Sequence, residues 1–202
     1  MESQPDQAAI AGIILAAGAS SRFGSPKQLL PWGKSNLVNT CIEKAFLAGL
    51  SQVVVVLGSN AKLIQPTIIN PMVQIVFNAR WVEGQSTSMQ VGLAQLDIRT
   101  AGAIFILADQ PQISVNLLQA IKEKGVQTES IVVPLMDGKR ANPVYFPRSA
   151  FQALASVTGD QGGRALFPQF PVFLLEWLDD HMGEDIDTPE DYERLRTWYG
   201  VD

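Results

Sequence analysis

Ile13-Ile14-Leu15-Ala16-Ala17-Gly18-Ala19-Ser20-Ser21-Arg22-Phe23-Gly24-Ser25-Pro26-Lys27 is the stretch that decides how this chain reads. An apolar run stops abruptly in small residues, two glycines follow, and Arg22 and Lys27 are the only charges between Ile10 and Pro31. The pattern is that of a buried strand emptying into a loop that wraps an anion. Small side chains let backbone N–H groups approach a phosphate closely, while arginine and lysine add positive charge.

The flanking sequence builds an α/β unit around that loop. Ile10 to Leu15 reads as a buried strand. Leu37, Val38, Cys41, Ile42 and Ala45 recur at helical spacing within Asn36 to Leu47, with Ser35 available as a cap. Gln52 to Leu57, with four consecutive valines, has the composition of a strand buried on both faces, so that parallel pairing across a helical crossover is expected.

Farther along, the spacing predicts a short helix over Ala61 to Pro66 and a third strand over Gln74 to Phe77. A serine-capped helix follows over Ser86 to Leu96, and a fourth buried strand over Ala103 to Leu107. Ser114 is placed to cap a helix carrying Leu117, Leu118 and Ile121. After it come strands near Ser130–Pro134, Val144–Phe146 and Val172–Leu175, with short helices near Ser149–Ala155 and Arg164–Phe167. Thr188-Pro189-Glu190-Asp191 opens a final helix with a cap, a first-turn proline and two acids at the positive end of its dipole. Alternating strands and helices of this kind form an open sheet with ligands at the carboxyl ends of its strands.

Composition narrows the field. A chain of 202 residues suits one domain, expected over residues 10–202 behind a flexible tail at 1–9. A net charge of −5 speaks against a general nucleic-acid binder. Cys41, the sole cysteine, rules out an intramolecular disulfide and a thiolate cluster, and its expected place is a helix core. No apolar run is long enough to cross a bilayer and Met1 to Gln7 is polar, so a cytoplasmic protein without membrane attachment is the expectation.

The loop matches neither familiar phosphate motif. It lacks G-x-G-x-x-G, and Gly33-Lys34-Ser35 ends like a Walker loop but has Gln28 where the first glycine belongs. Asp109 ends a buried strand, where a carboxylate can hold Mg²⁺; a plain turn before Pro111 is the other reading. Asp187 lies just ahead of the Thr188 cap in an acid-rich stretch, with Asp185 as its rival. His181 has no cysteine or second histidine to join it in catalysis.

Taken together, Leu15 to Gly24 with Lys27 and Leu29-Leu30-Pro31 resembles the signature of nucleotidyltransferases that activate a phosphate-bearing acceptor with an NTP. So do Asn78 with Gly84, Ser86 and Ser88, then Leu107-Ala108-Asp109-Gln110-Pro111, Gly159 to Arg164, and Asp185 to Pro189. Within that superfamily the chain looks most like the molybdenum-cofactor cytidylyltransferases, the MocA-like branch of the MobA-like proteins.

The resemblance implies a single three-layer Rossmann-like domain with a mostly parallel, mixed central sheet. It implies CMP transfer from CTP to the terminal phosphate of molybdopterin, with Mg²⁺ on Asp109 and Asp187 and catalytic roles for Arg22, Lys27, Asp109 and Asp187. It assigns nucleotide contacts to Leu15, Ala16, Ala17, Gly18, Arg22, Lys27, Gly84, Ser88 and Asp109. Acceptor contacts fall to Asn142 and Arg164, with Lys139 and Arg140 nearby, and a transient meeting with a molybdenum hydroxylase follows at the family level. Ala141-Asn142 departs from the glycine and histidine more usual there; asparagine still donates a hydrogen bond but does not titrate near neutrality. A sugar or polyol phosphate acceptor, or a non-catalytic carrier of the cofactor, are the alternatives.

Overall fold

Side chains along Ile10–Ala16 (β1) alternate between two apolar layers, with Ile10, Ile14 and Ala16 on one face and Ala11 and Ile13 on the other. That alternation is the two-residue period of a strand covered on both sides. The computed structural model describes residues 8–20, 22–179 and 181–201. Residues 1–7 of the tail expected over 1–9, Ser21 of the glycine loop and Asp180 of the acidic stretch lie outside the described residues.

A small hairpin, Pro31–Trp32 (β2) with Ser35–Asn36 (β3), turns at Gly33 and leads into Leu37–Leu47 (α1). There follow Gln52–Leu57 (β4), Ala61–Ile64 (α2), Gln74–Phe77 (β5), Gln85–Leu93 (α3), Gly102–Leu107 (β6) and Val115–Thr128 (α4). The remainder comprises Ile131–Met136 (β7), Lys139–Arg140 (β8), Val144–Pro147 (β9), Phe151–Leu154 (α5), Val172–Glu176 (β10) and Pro189–Tyr199 (α6). Among the described residues, eight strands join in one sheet ordered β10-β7-β9-β6-β1-β4-β5, with β8 paired to β7.

β1 runs parallel to both β4 and β6, β4 to β5, and β10 to β7, whereas β9 is antiparallel to β6 and β7. The sheet is therefore mixed and mostly parallel. Val38, Cys41, Ile42 and Ala45 of α1 and Leu117, Leu118 and Ile121 of α4 cover one face. Met89 of α3, Leu154 of α5 and Leu166 cover the other, giving a three-layer Rossmann-like arrangement. No helix among the described residues is long and apolar enough to cross a membrane.

The reversal of β9 matters for the site. Phe105 near the carboxyl end of β6 pairs with Val144 at the start of β9, so Asn142 arrives at the same end of the sheet as Leu15, Leu107 and Met136. β10, parallel to β7, likewise delivers the segment after Glu176 to that end. A third apolar cluster, Trp32, Leu37, Ile186, Tyr192 and Leu195, then fastens α6 to the β2–β3 hairpin, and the Tyr192 hydroxyl donates to Pro31 O at 2.6 Å.

Several local expectations need correction. Asn36, not Ser35, caps α1: it directly precedes Leu37, the first helical residue, and its Oδ1 accepts from Asn39 N at 2.9 Å. No side chain caps α3, which begins after Gly84; Ser86 lies inside the helix, buried, and Leu96 falls beyond the helix end. The caps at Ser114 and Thr188 form as read, the latter as a reciprocal box with Asp191.

Candidate functional site

Gln28, only 3% exposed, shapes the glycine loop. Its Nε2 donates to Ala16 O and Gly18 O, both at 3.3 Å, and its Oε1 accepts from Ser20 Oγ at 3.2 Å. Ser20 adopts a positive φ of 53° and its Oγ accepts from Lys27 N at 3.1 Å. Ala17 O accepts from Ser59 N, and Gly58 lies so close to Ala17 that a Cβ there would come within 2.7 Å of that carbonyl. The loop carbonyls are thus engaged by the protein, and the loop bends around a cavity of about 280 Å³ lined by Gly18, Arg22, Lys27, Gln28, Asp109 and Asp187, among others.

Lys27 is the hub of that cavity. Its Nζ lies 2.7 Å from Asp109 Oδ2 and 2.9 Å from Asp187 Oδ1, and it donates to Ile186 O at 2.9 Å. Arg22, largely exposed, reaches Asp187 Oδ2 at 3.2 Å. Burial alone would lower the Lys27 pKa, but Asp109 and Asp187 outweigh it and hold the ammonium above its ordinary value. Lys27, with Arg22 assisting against partial burial, holds Asp187 below the usual carboxylate range. Four sequence-selected residues, Arg22, Lys27, Asp109 and Asp187, therefore meet at one point.

Leu15 also lines a second cavity, of about 230 Å³, which joins the two at the end of β1. Phe105, Leu107, Val144, Phe146 and Phe167 supply apolar wall, while Arg140, Asn142, Arg164 and Asp185 supply polar groups. The Arg140 guanidinium stacks over Phe167 at 5.2 Å. Asp185 is accessible from this cavity, yet surrounding protein, then the charges of Asp109 and Asp187, push its pKa up to about 6. Ile186 is fully buried between them and donates its N–H to Asp109 O at 3.0 Å, so the two flanking aspartates border different cavities.

Other selected residues lie elsewhere. Ser88 is buried and its hydroxyl accepts from Asn78 Nδ2 at 2.9 Å, so it lines neither cavity. Gly84 also stands back from both. Its φ of 109° and a Cβ position 2.6 Å from Asp160 Oδ1 require glycine, and its neighbour Gln85 is the residue that reaches the second cavity. Ala16 and Ala17 are buried in the loop base. Lys139 lies exposed in the β7–β8 hairpin. His181 is engaged away from the cavities, with Glu184 Oε1 at 2.6 Å and Trp198 at 4.0 Å between ring centroids.

Sequence reasoning passed over Gln28, Gln110 and Gln112. The signal was present in Gln28: a polar side chain within Lys27-Gln28-Leu29-Leu30, followed at once by apolar residues, is a candidate for inward hydrogen bonding.

Among the described residues no group of three His, Cys, Asp or Glu side chains is arranged to hold a metal ion. Asp109 and Asp187 supply two hard carboxylates beside a cavity open to further oxygen ligands. That donor set fits a cation such as Mg²⁺, which binds through one or two carboxylates and completes its shell from water and phosphate.

Comparison with known proteins agrees with this architecture. The chain is 32% identical to nicotine blue oxidoreductase of Paenarthrobacter nicotinovorans, over 94% of this chain and 98% of that protein. It is 32% identical to the purine catabolism protein PucB of Bacillus subtilis, over 92% and 95%. With the molybdenum cofactor cytidylyltransferase of Escherichia coli the identity is 24%, over 95% and 97%. The crystal structure of Rv0371c from Mycobacterium tuberculosis superposes with a TM-score of 0.85 at 33% identity, covering 93% of this chain and 97% of that one. That protein has also been crystallised in complex with manganese, where the TM-score is 0.78 at 31% identity, covering 93% and 97%. A model of the MobA-like NTP transferase domain matches residues 12–172, which span the glycine loop, Asp109 and the second cavity's Asn142 and Arg164, and on that match the chain belongs to the MobA-like NTP transferase family.

Proposed function

We propose that this protein transfers CMP from CTP to the terminal phosphate of a molybdopterin-type acceptor, releasing pyrophosphate, with Mg²⁺ as its metal. The observation that carries this reading is the Lys27 ammonium set between Asp109 and Asp187 beneath the glycine loop, with a second, arginine-bordered cavity meeting it at Leu15. Relationship to the cytidylyltransferase of Escherichia coli supports the choice of donor and acceptor.

In the reaction, an acceptor phosphate oxygen forms a bond to the α-phosphorus of CTP, and the bond from that phosphorus to the α,β-bridging oxygen breaks with its electron pair leaving on pyrophosphate. A phosphate monoester has a second pKa near ~6, so the acceptor arrives anionic and needs no general base. The obstacle is repulsion between anions, which alignment and charge neutralisation overcome. Asp109 and Asp187 would hold Mg²⁺, which would supply Lewis-acid charge neutralisation at the phosphates.

The chain's own groups do the rest. Main chain from Leu15 to Gly18 borders the nucleotide. Arg22 grips the departing phosphates with a planar donor array, and Lys27 gives up part of its carboxylate pairing to steady charge on the reacting phosphate. Arg164 and Asn142, with Arg140, hold the acceptor in the second cavity. The product passes on to a molybdenum hydroxylase in the cytoplasm.

The test is a coupled pyrophosphate assay over CTP, GTP and ATP, with molybdopterin, sugar phosphates and polyol phosphates as acceptors, with and without Mg²⁺. Release with CTP, molybdopterin and Mg²⁺ supports the reading. Preference for another acceptor transfers the activity to that substrate, and ligand binding without pyrophosphate identifies a carrier. Asp109→Ala and Arg22→Ala are each expected to slow release by roughly 100-fold or more in a folded protein. An Asp109→Ala enzyme with wild-type turnover removes the metal role.

A further inference from the structure

Gln110 and Gln112 project from the turn that follows Asp109, and both are buried, at 1% and 4% exposure. Each amide nitrogen is shared between two oxygens on one distant segment. Gln110 Nε2 donates to Gly183 O at 3.0 Å and Asp185 Oδ1 at 2.8 Å. Gln112 Nε2 donates to Met182 O at 3.2 Å and Glu184 O at 2.6 Å. The Ile186 N–H closes the same seam by donating to Asp109 O, and Lys44 Nζ braces the turn from α1 through Pro111 O.

Two features separate this seam from ordinary packing. Both amide oxygens, Gln110 Oε1 and Gln112 Oε1, are buried without a partner among the described residues. An unpaired buried acceptor costs free energy, so these side chains are poor choices for stability alone. Nor can the amides be turned over to relieve them, because that would aim each oxygen at two acceptors.

The second feature is location. The segment gripped by both amides, Met182 to Asp185, leads directly into Ile186 and Asp187, and Asp187 shares Lys27 with Asp109. We infer that Gln110 and Gln112 are positioning residues that set the Asp185–Asp187 segment against Asp109, and so fix the spacing of the carboxylates across which nucleotide transfer takes place. The inference rests on the transferase reading for its kinetic part only.

The informative variant is Gln110→Met, which keeps length and volume, removes the two donors and also removes the unpaired oxygen. Hydrogen exchange of amides 182–187 in ligand-free protein is expected to accelerate by roughly 10-fold, with the sheet unchanged. The melting temperature should stay within about 3 °C of wild type. In pyrophosphate release, kcat should fall roughly 10- to 100-fold while KM for CTP moves less than about threefold, because misalignment affects the transfer step more than nucleotide capture.

A purely structural role predicts the reverse coupling, with stability and the active fraction lost together at constant kcat per folded molecule. Unchanged exchange at 182–187, or faster exchange with unchanged kcat, overturns the proposal. Should Gln110→Met not fold, Gln112→Met tests the other amide by the same measurements. A wild-type protein that releases no pyrophosphate with any donor defeats the transferase reading, while the ligand-free exchange still judges whether the amides hold the segment.

Discussion

Lys27 illustrates how much one side chain organises here. Its side chain is 13% exposed, and it is shared between carboxylates supplied from the middle of the sequence and from the stretch before the last helix. Replacing it in Lys27→Met leaves Asp109 and Asp187 with only the largely exposed Arg22, 3.2 Å from Asp187, as a counter-charge. The Asp187 pKa should rise from its depressed value, and kcat/KM for nucleotide should fall by roughly 100-fold, measurable by NMR titration and steady-state kinetics.

Asp185 carries a stability signature of the opposite kind. Enclosure, then Asp109 and Asp187, raise its pKa from the ordinary 3.8 to about 6, only partly offset by Lys27 and Gln110. Between those two pH values the folded state retains a proton that the unfolded chain has released. The contribution is therefore full in acid and disappears as pH rises through about 6. Asp185→Asn should flatten that part of the stability–pH profile and melt higher than wild type at pH 7, by less than the full shift because cavity water screens the charge.

These ionic residues were legible because each lies at a motif boundary: Arg22 and Lys27 in a glycine loop, Asp109 at a strand end, Asp187 before a cap. Gln28 carried a local signal, its polar side chain being followed at once by apolar residues, but Gln110 and Gln112 carried none. Partners of Gln110 and Gln112 lie some seventy positions later, and nothing in local spacing encodes a hydrogen bond formed only after the sheet has assembled.

Among the secondary elements, the valine run of β4 and the apolar run of β1 announced themselves, since strands covered on both faces leave no room for polar residues. Caps were harder to read. Ser35 and Asn36 are both competent, and the helix start at Leu37 decides between them by making Asn36 the residue directly before the first turn. Asn36→Ala should thus lower stability by about 1 kcal/mol in chemical denaturation, with Ser35→Ala costing clearly less. At Ser86 a serine near a helix start invited the same reading, but Gly84, pressed against Gly159 and Asp160, begins the helix earlier and carries the serine inside.

At the scale of the molecule, the three-layer sheet follows from alternating patterns that survive any modest error in element ends. The meeting of two cavities at Leu15 does not, because it depends on the reversed strand β9 returning Asn142 to the site end. The protein carries a net charge of −5 yet gathers Arg22 and Lys27 at the nucleotide side. Nucleotide capture should accordingly weaken as salt rises, with KM for CTP climbing between low and physiological ionic strength, and Arg22→Ala should flatten that dependence.

The apolar cluster that fastens α6 to the β2–β3 hairpin also sets an order of events in synthesis. Every strand of the sheet has been made by Glu176, whereas Ile186, Tyr192 and Leu195, which secure Asp187 beside Lys27, come later. A chain still emerging from the ribosome can complete its sheet while lacking half of its carboxylate pair. Competence for chemistry is then acquired only after the sheet is complete, and a nascent chain halted before Asp187 should form the sheet without gaining it.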